Sequence, residues 1–128
     1  MREILFRGKN VIGGQWLNGD LIHTTTGKAP MIRVHGKNSA ISYMVVPETI
    51  CQYTGLTDKN GKRIFEGDIV VIYSDEKHPV QIVFLESSWT AVTPKYSYYR
   101  HRMEDIEDKY EVIGNIHDNP ELIAEVQE

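Results

Sequence analysis

Cysteine is nearly absent. Cys51 stands alone among 128 residues, so no disulfide can form within the chain, and a reducing compartment suits it. Long apolar runs are missing too. Nothing approaches the roughly 18 residues that a membrane-spanning helix needs, and residues 1–7 lack the apolar stretch of a secretory signal. We therefore expect a cytosolic protein with no membrane partner. An excess of cations is also lacking: the net charge is −4. Sequence-independent nucleic-acid binding draws its affinity from Lys and Arg that neutralise phosphates, so this balance weighs against it.

Catalytic and metal-binding patterns are equally scarce. The histidines His23, His35, His78, His101 and His117 fall at no metal-ligand spacing, and one cysteine cannot complete a zinc set. There is no nucleophile elbow and no Walker loop. Gly13-Gly14 precedes a strand pattern, whereas a phosphate cradle needs a helix N-terminus. Cys51 lies in a strand pattern, where a buried, inert thiol is the common outcome. Glu66-Gly67-Asp68 could be drawn as paired carboxylates, but a glycine bend flanked by acids and leading into a buried strand explains it. The expectation is a protein that is no enzyme and holds no metal or cofactor.

What is present suits a small globular fold. A chain of this length buries roughly two-thirds of its unfolded surface, and 41% apolar residues supply an ordinary core. Folding then requires neither a disulfide nor a metal. Charge is unevenly placed. Residues 1–50 hold six Lys or Arg against three Asp or Glu, residues 51–100 six against six, and residues 101–128 two against nine. The acidity belongs to the end of the chain.

Turn and strand signals dominate. Residues 3–6, 31–34 and 41–46 read as short strands. Asn18-Gly19, between Trp16-Leu17 and Asp20-Leu21-Ile22, reads as a two-residue hairpin turn, since both residues tolerate positive φ. Asp58-Lys59-Asn60-Gly61 reads as a four-residue turn with Gly61 left-handed. Ile69-Val70-Val71-Ile72 suits a strand buried on both faces. Residues 81–85 and 89–93 form a hairpin around Glu86-Ser87-Ser88. Met103, Ile106 and Tyr110 have helical spacing, residues 111–116 make a last strand, and Asn119-Pro120 reads as a capped helix start. About ten short strands separated by turns predict a mainly β fold in two parts. Residues 1–47 would form the smaller N-terminal sheet. Residues 48–128 would form a small SH3-like barrel with a short terminal helix.

One stretch has a binding character. Lys95, Tyr96, Tyr98, Tyr99, Arg100 and Arg102 interleave aromatic and basic side chains. Such a pattern can stack bases and pair phosphates, and it equally suits protein interfaces. The acids Glu104, Asp105, Glu107 and Asp108 follow at once, which favours a protein partner over nucleic acid. These six are the candidate binding residues. The strand-like residues 31–34 and 41–46 have edges to cover, so self-association is expected as well.

Three segments stand out together. The central one is Gln52-Tyr53-Thr54-Gly55-Leu56-Thr57-Asp58-Lys59-Asn60-Gly61-Lys62-Arg63-Ile64-Phe65-Glu66-Gly67-Asp68-Ile69-Val70. The second is Glu111-Val112-Ile113-Gly114-Asn115-Ile116-His117-Asp118-Asn119-Pro120-Glu121-Leu122, and the third is Arg2-Glu3-Ile4-Leu5-Phe6-Arg7 with Gly14-Gln15-Trp16-Leu17-Asn18-Gly19. Taken together, these segments resemble the YopX family of phage and prophage proteins, which often carries an aromatic where this chain has His117; residues 74–110 follow no family pattern. The resemblance implies a phage or prophage origin, the cytoplasm of a bacterial host, and a two-part β-rich fold. It supplies no catalytic residues, because the family has no assigned biochemical activity. The shared residues are mostly turn and cap chemistry. Function is therefore expected to lie in binding a host or phage protein; a small nucleic-acid-binding barrel is the alternative.

Overall fold

Glycine placement decides where the first strands turn. In a computed structural model, described for residues 3–25, 27, 29–36, 41–72, 75–85, 87–92, 100–102 and 109–123, β1 (Phe6–Lys9) and β2 (Trp16–Ile22) are antiparallel neighbours. The chain reverses through Val11-Ile12-Gly13-Gly14, with φ of 93° at Gly13 and 75° at Gly14. The Asn10 side chain accepts the Ile12 N–H at 3.0 Å and holds this turn. The expected turn at Asn18-Gly19 does not form: both residues lie inside β2. Gly19 is there for a close approach, since a Cβ on it would run into the Arg33 carbonyl of the next strand.

The chain packs as two units, Met1–Tyr53 and Thr54–Glu128, so the division falls inside β5 (Cys51–Thr57). In the first unit β3 (Met31–Val34) pairs with β2, and β4 (Ser42–Met44) pairs with β3, giving the order β4-β3-β2-β1-β5. One edge of β1 serves two neighbours. Phe6 and Arg7 pair with Gln52 and Cys51. Beyond them, Val46 N–H donates to the Lys9 carbonyl at 2.8 Å and Val11 N–H to the Met44 carbonyl at 3.0 Å. Gly8 allows this closeness, because a Cβ there would sit 3.1 Å from Val45 Cβ. A 3-10 turn at Pro47–Thr49 follows. The Thr49 hydroxyl ties it down, accepting the Lys9 N–H at 2.9 Å and donating to the Val46 carbonyl at 2.6 Å. Leu5, Ile32, Val45, Cys51 and Tyr53 are the buried residues of this unit's core.

The second unit contains the rest of β5, β6 (Arg63–Phe65), β7 (Asp68–Ile72), β8 (Asp75–Leu85), β9 (Ser88–Val92), β10 (Arg100–Arg102) and β11 (Tyr110–Asn115). Strand β6 pairs with β5, and the others form an antiparallel sheet in the order β10-β9-β8-β7-β11. All five residues of β7 are buried, as the Ile69-Val70-Val71-Ile72 run predicts. Its Val70 and Ile72 pack with Ile64, Val80, Ile82, Ala91 and Tyr110, flanked by Leu56, Trp89 and Val112. The β8–β9 hairpin turns where the sequence pattern predicts, with Ser87 at a φ of 65°.

The mainly β reading therefore holds. The terminal helix does not form in the described residues: Pro120–Leu122 is a single 3-10 turn. Asn119 makes no side-chain cap there, because its Oδ1 accepts the Asn115 N–H at 3.2 Å. The expected helical turns over residues 103–108 lie outside the described residues. Among the described residues no helix is long and apolar enough to cross a membrane.

Candidate functional site

The turn motif Asp58-Lys59-Asn60-Gly61 is built around one buried carboxylate. Asp58 Oδ1 accepts the N–H groups of Asn60 at 2.8 Å and Lys62 at 2.9 Å, which closes the turn. Its Oδ2 accepts the Val112 N–H at 3.0 Å, from a residue 54 positions on. Burial pushes the carboxyl up, but hydrogen bonds from Val112, Lys62 and Asn60 and the nearby Lys62 charge outweigh it. The net pKa lies below the ordinary aspartate value. Asp68 is likewise buried, and its Oδ2 accepts the Phe65 N–H at 2.7 Å across the Glu66-Gly67 bend, with φ of 87° at Gly67. A carboxylate held in this way is a backbone acceptor, poorly suited to exchanging protons with a substrate.

The C-terminal motif is structural for a similar reason. Gly114 sits at a register shift in the β7–β11 pairing. A Cβ there would lie 2.6 Å from Asn119 Oδ1 and 2.9 Å from Leu122 Cδ1, so glycine is what seats the closing turn. Asn115 Oδ1 accepts the N–H groups of His117 and Asp118, both at 2.9 Å.

Of the six candidate binding residues, Lys95, Tyr96, Tyr98 and Tyr99 lie outside the described residues. Arg100 and Arg102 fall on β10, opposite Val92 and Thr90; their side chains are also outside the description. The aromatic–cation grouping that is described lies elsewhere. Arg7 Cζ stands 4.7 Å and Lys9 Nζ 5.4 Å from the centroid of the Trp16 ring, with Lys9 directly opposite Trp16 in the ladder. Arg33 lies opposite Asp20, whose Oδ1 is 2.9 Å from His35 Nε2. Cys51 is buried, and its thiol donates to the Thr49 carbonyl at 3.2 Å. Among the described residues no three His, Cys, Asp or Glu side chains gather as metal ligands would.

The surface feature that sequence reasoning missed is apolar. Ile22, Met31 and Met44 are directly opposite one another across β2, β3 and β4, and opposite residues share a sheet face. Val11, bonded through its N–H to the Met44 carbonyl, and Ile12 adjoin that end. Ile12 is 76% exposed, Val11 44% and Met44 40%. In the second unit Phe84, 56% exposed, meets Trp89 edge to face at 4.9 Å between centroids. Along the chain, these residues look like ordinary strand interior. Only the register shows which of them stand together at the surface.

The sequence profile of the family described as YopX protein matches residues 5–124. The fold is similar to the crystal structure of protein EF1440 from Enterococcus faecalis, with a TM-score of 0.63 and 25% identity over 96% of this chain and 99% of that one. It is also similar to the crystal structure of protein yopX from Bacillus subtilis, with a TM-score of 0.58 and 18% identity over 99% and 100% of the two chains. No curated protein matches this chain.

Proposed function

The chain belongs to the YopX family, and from that premise we propose that it is a phage- or prophage-encoded accessory protein that works in the bacterial cytoplasm by binding another protein. The observation that carries this reading is the apolar surface of the first unit, where Val11, Ile12 and Met44 are exposed beside half-buried Met31 and Ile22. Contiguous exposed apolar residues mark interaction surfaces, and methionine adapts its shape to a partner. On this reading the protein does no covalent chemistry, since Asp58 and Asp68 serve as backbone acceptors. A nucleic-acid partner is less well supported. Base stacking needs an open aromatic face, and Arg7 and Lys9 stand over the Trp16 ring. The SH3-like description of the second unit belongs to this proposal too; its antiparallel five-stranded order supports it.

The test is affinity capture from host cytoplasm, with and without nuclease, using the parent chain and an Ile12→Ser, Met44→Ser variant. Truncating an interface centre costs roughly 2 kcal/mol or more of binding, whereas surface substitutions usually change stability by only about 0.5 kcal/mol. The expected result is a protein captured by the parent, insensitive to nuclease, and lost by the folded variant. A Tyr98→Ala, Tyr99→Ala, Arg100→Ala variant runs alongside. Loss in that variant alone moves the interface to residues 95–102, and loss on nuclease treatment overturns the protein-partner reading.

A further inference from the structure

Asn-Gly occurs twice in the chain, at Asn18-Gly19 and Asn60-Gly61, and the fold treats the two pairs differently. Glycine has no Cβ to shield its nitrogen, so that nitrogen can attack the side-chain amide of an asparagine before it. The attack closes a cyclic imide. It requires the glycine peptide to rotate away from any carbonyl that its N–H is bonded to. In β2 that rotation is barred. Asn18-Gly19 lies mid-strand, and buried Gly19 pairs with Phe6 on one side and Val34 on the other. Turning its peptide would pull β2 from its neighbours. Asn60 and Gly61 are both exposed, and the Gly61 N–H is held by one bond, to the Asp58 carbonyl at 2.9 Å. Water replaces that bond when the turn opens, and an exposed turn opens locally far more often than a strand inside a sheet.

We propose that Asn60-Gly61 is a self-modification site, where the chain converts its own asparagine to aspartate and isoaspartate and so loosens the Asp58 turn. Gly61 N gives up its proton to water and bonds to Asn60 Cγ, while the side-chain nitrogen takes a proton and leaves as ammonia. Water then opens the imide. Cleaving the new N–Cγ bond gives aspartate. Cleaving the bond between Gly61 N and the residue-60 backbone carbonyl carbon gives isoaspartate, whose main chain runs through Cβ and Cγ and is one carbon longer. Nothing is oxidised or reduced, and water is the only co-reactant. The added carbon matters because the Asn60 and Lys62 N–H groups stand on either side of it. Both donate to Asp58 Oδ1, at 2.8 Å and 2.9 Å. Lengthening the chain between them ends that sharing and disturbs the carboxylate that also holds the Val112 N–H. The reaction makes no use of the apolar surface of the first unit and stands apart from the binding proposal.

The experiment ages the parent chain in mildly basic buffer, once folded and once in concentrated urea. Digestion at glutamate and mass spectrometry read the conversion of each pair from amide to acid, and enzymatic methylation marks isoaspartate. In urea no ladder protects either pair, so the ratio of the two rates there is the reference. Folding should raise the rate at residue 60 relative to residue 18 by about tenfold or more. A smaller rise overturns the proposal, as does residue 60 remaining an amide in the folded chain over the time that converts it in urea. The aged acidic material, separated by charge, is then compared with an Asn60→Asp chain, which has the same charge and an ordinary backbone. The aged material should unfold at a lower urea concentration; an equal midpoint overturns the loosening of the turn.

Discussion

Replacing Asp58 by alanine strips three backbone N–H groups of their acceptor at once. They differ in what happens next. Asn60 and Lys62 lie on an exposed turn, where water takes over and the net loss is about 0.5–1.5 kcal/mol each. Val112 is half-buried in the sheet, and a donor left without an acceptor there costs about 1–3 kcal/mol. The whole change is then about 2–6 kcal/mol, a large part of the roughly 5–15 kcal/mol that holds a small domain together. With a urea slope near 2 kcal/mol per molar, the midpoint should fall by about 1–3 M. Asp58→Asn should lose nearly as much, because an amide turns one donor toward donors. The acid response adds a second check. The folded pKa lies below the ordinary value, so the Asp58 contribution is complete above the unfolded aspartate pKa of about 3.9 and is lost as pH falls through the folded pKa. The gap in stability between the parent and Asp58→Asn should therefore narrow on acidification below about pH 4. A midpoint shift under about 0.3 M, or a gap that stays constant into acid, would refute the reasoning.

Two further substitutions separate close approach from conformational freedom. Gly19→Ala drives a Cβ into the Arg33 backbone and should cost more than about 4 kcal/mol, visible as loss of soluble protein. Gly14→Ala meets open space at a φ of 75° and should cost only about 1–2 kcal/mol; equal melting temperatures for the two variants would contradict this distinction. The Cys51 thiol should react with a thiol reagent only after denaturation, since it is buried and bonded to the Thr49 carbonyl; rapid labelling of the native chain at neutral pH would show otherwise.

Several features are legible in the chain alone because their causes are local. The β-branched residues Ile69 to Ile72 predict a doubly buried strand, and β7 is one. Gly61 is expected in a left-handed position and Gly67 at a bend, and their φ values of 83° and 87° agree with both. Asn18-Gly19 departs from its local pattern for the opposite reason. The pair has hairpin chemistry, but what Gly19 answers to is the Arg33 carbonyl on another strand, which no local pattern encodes. Asn119 has cap chemistry too, and the fold commits its oxygen to Asn115. The apolar surface at Met44, Met31 and Ile22 depends on register, where a one-residue shift of any of the three strands would turn its side chain to the other face.

By itself, then, the sequence determined the secondary-structure class, most of the turns and the family, since these follow from the conformational limits of single residues and short runs. Tertiary structure alone decided that Asp58 reaches Val112 across 54 positions, and that Val11 and Met44 meet at the surface. It also decided that the two motif segments close on the same strand. Each of these depends on the distance between residues far apart in the chain, and that distance exists only once the strands have paired.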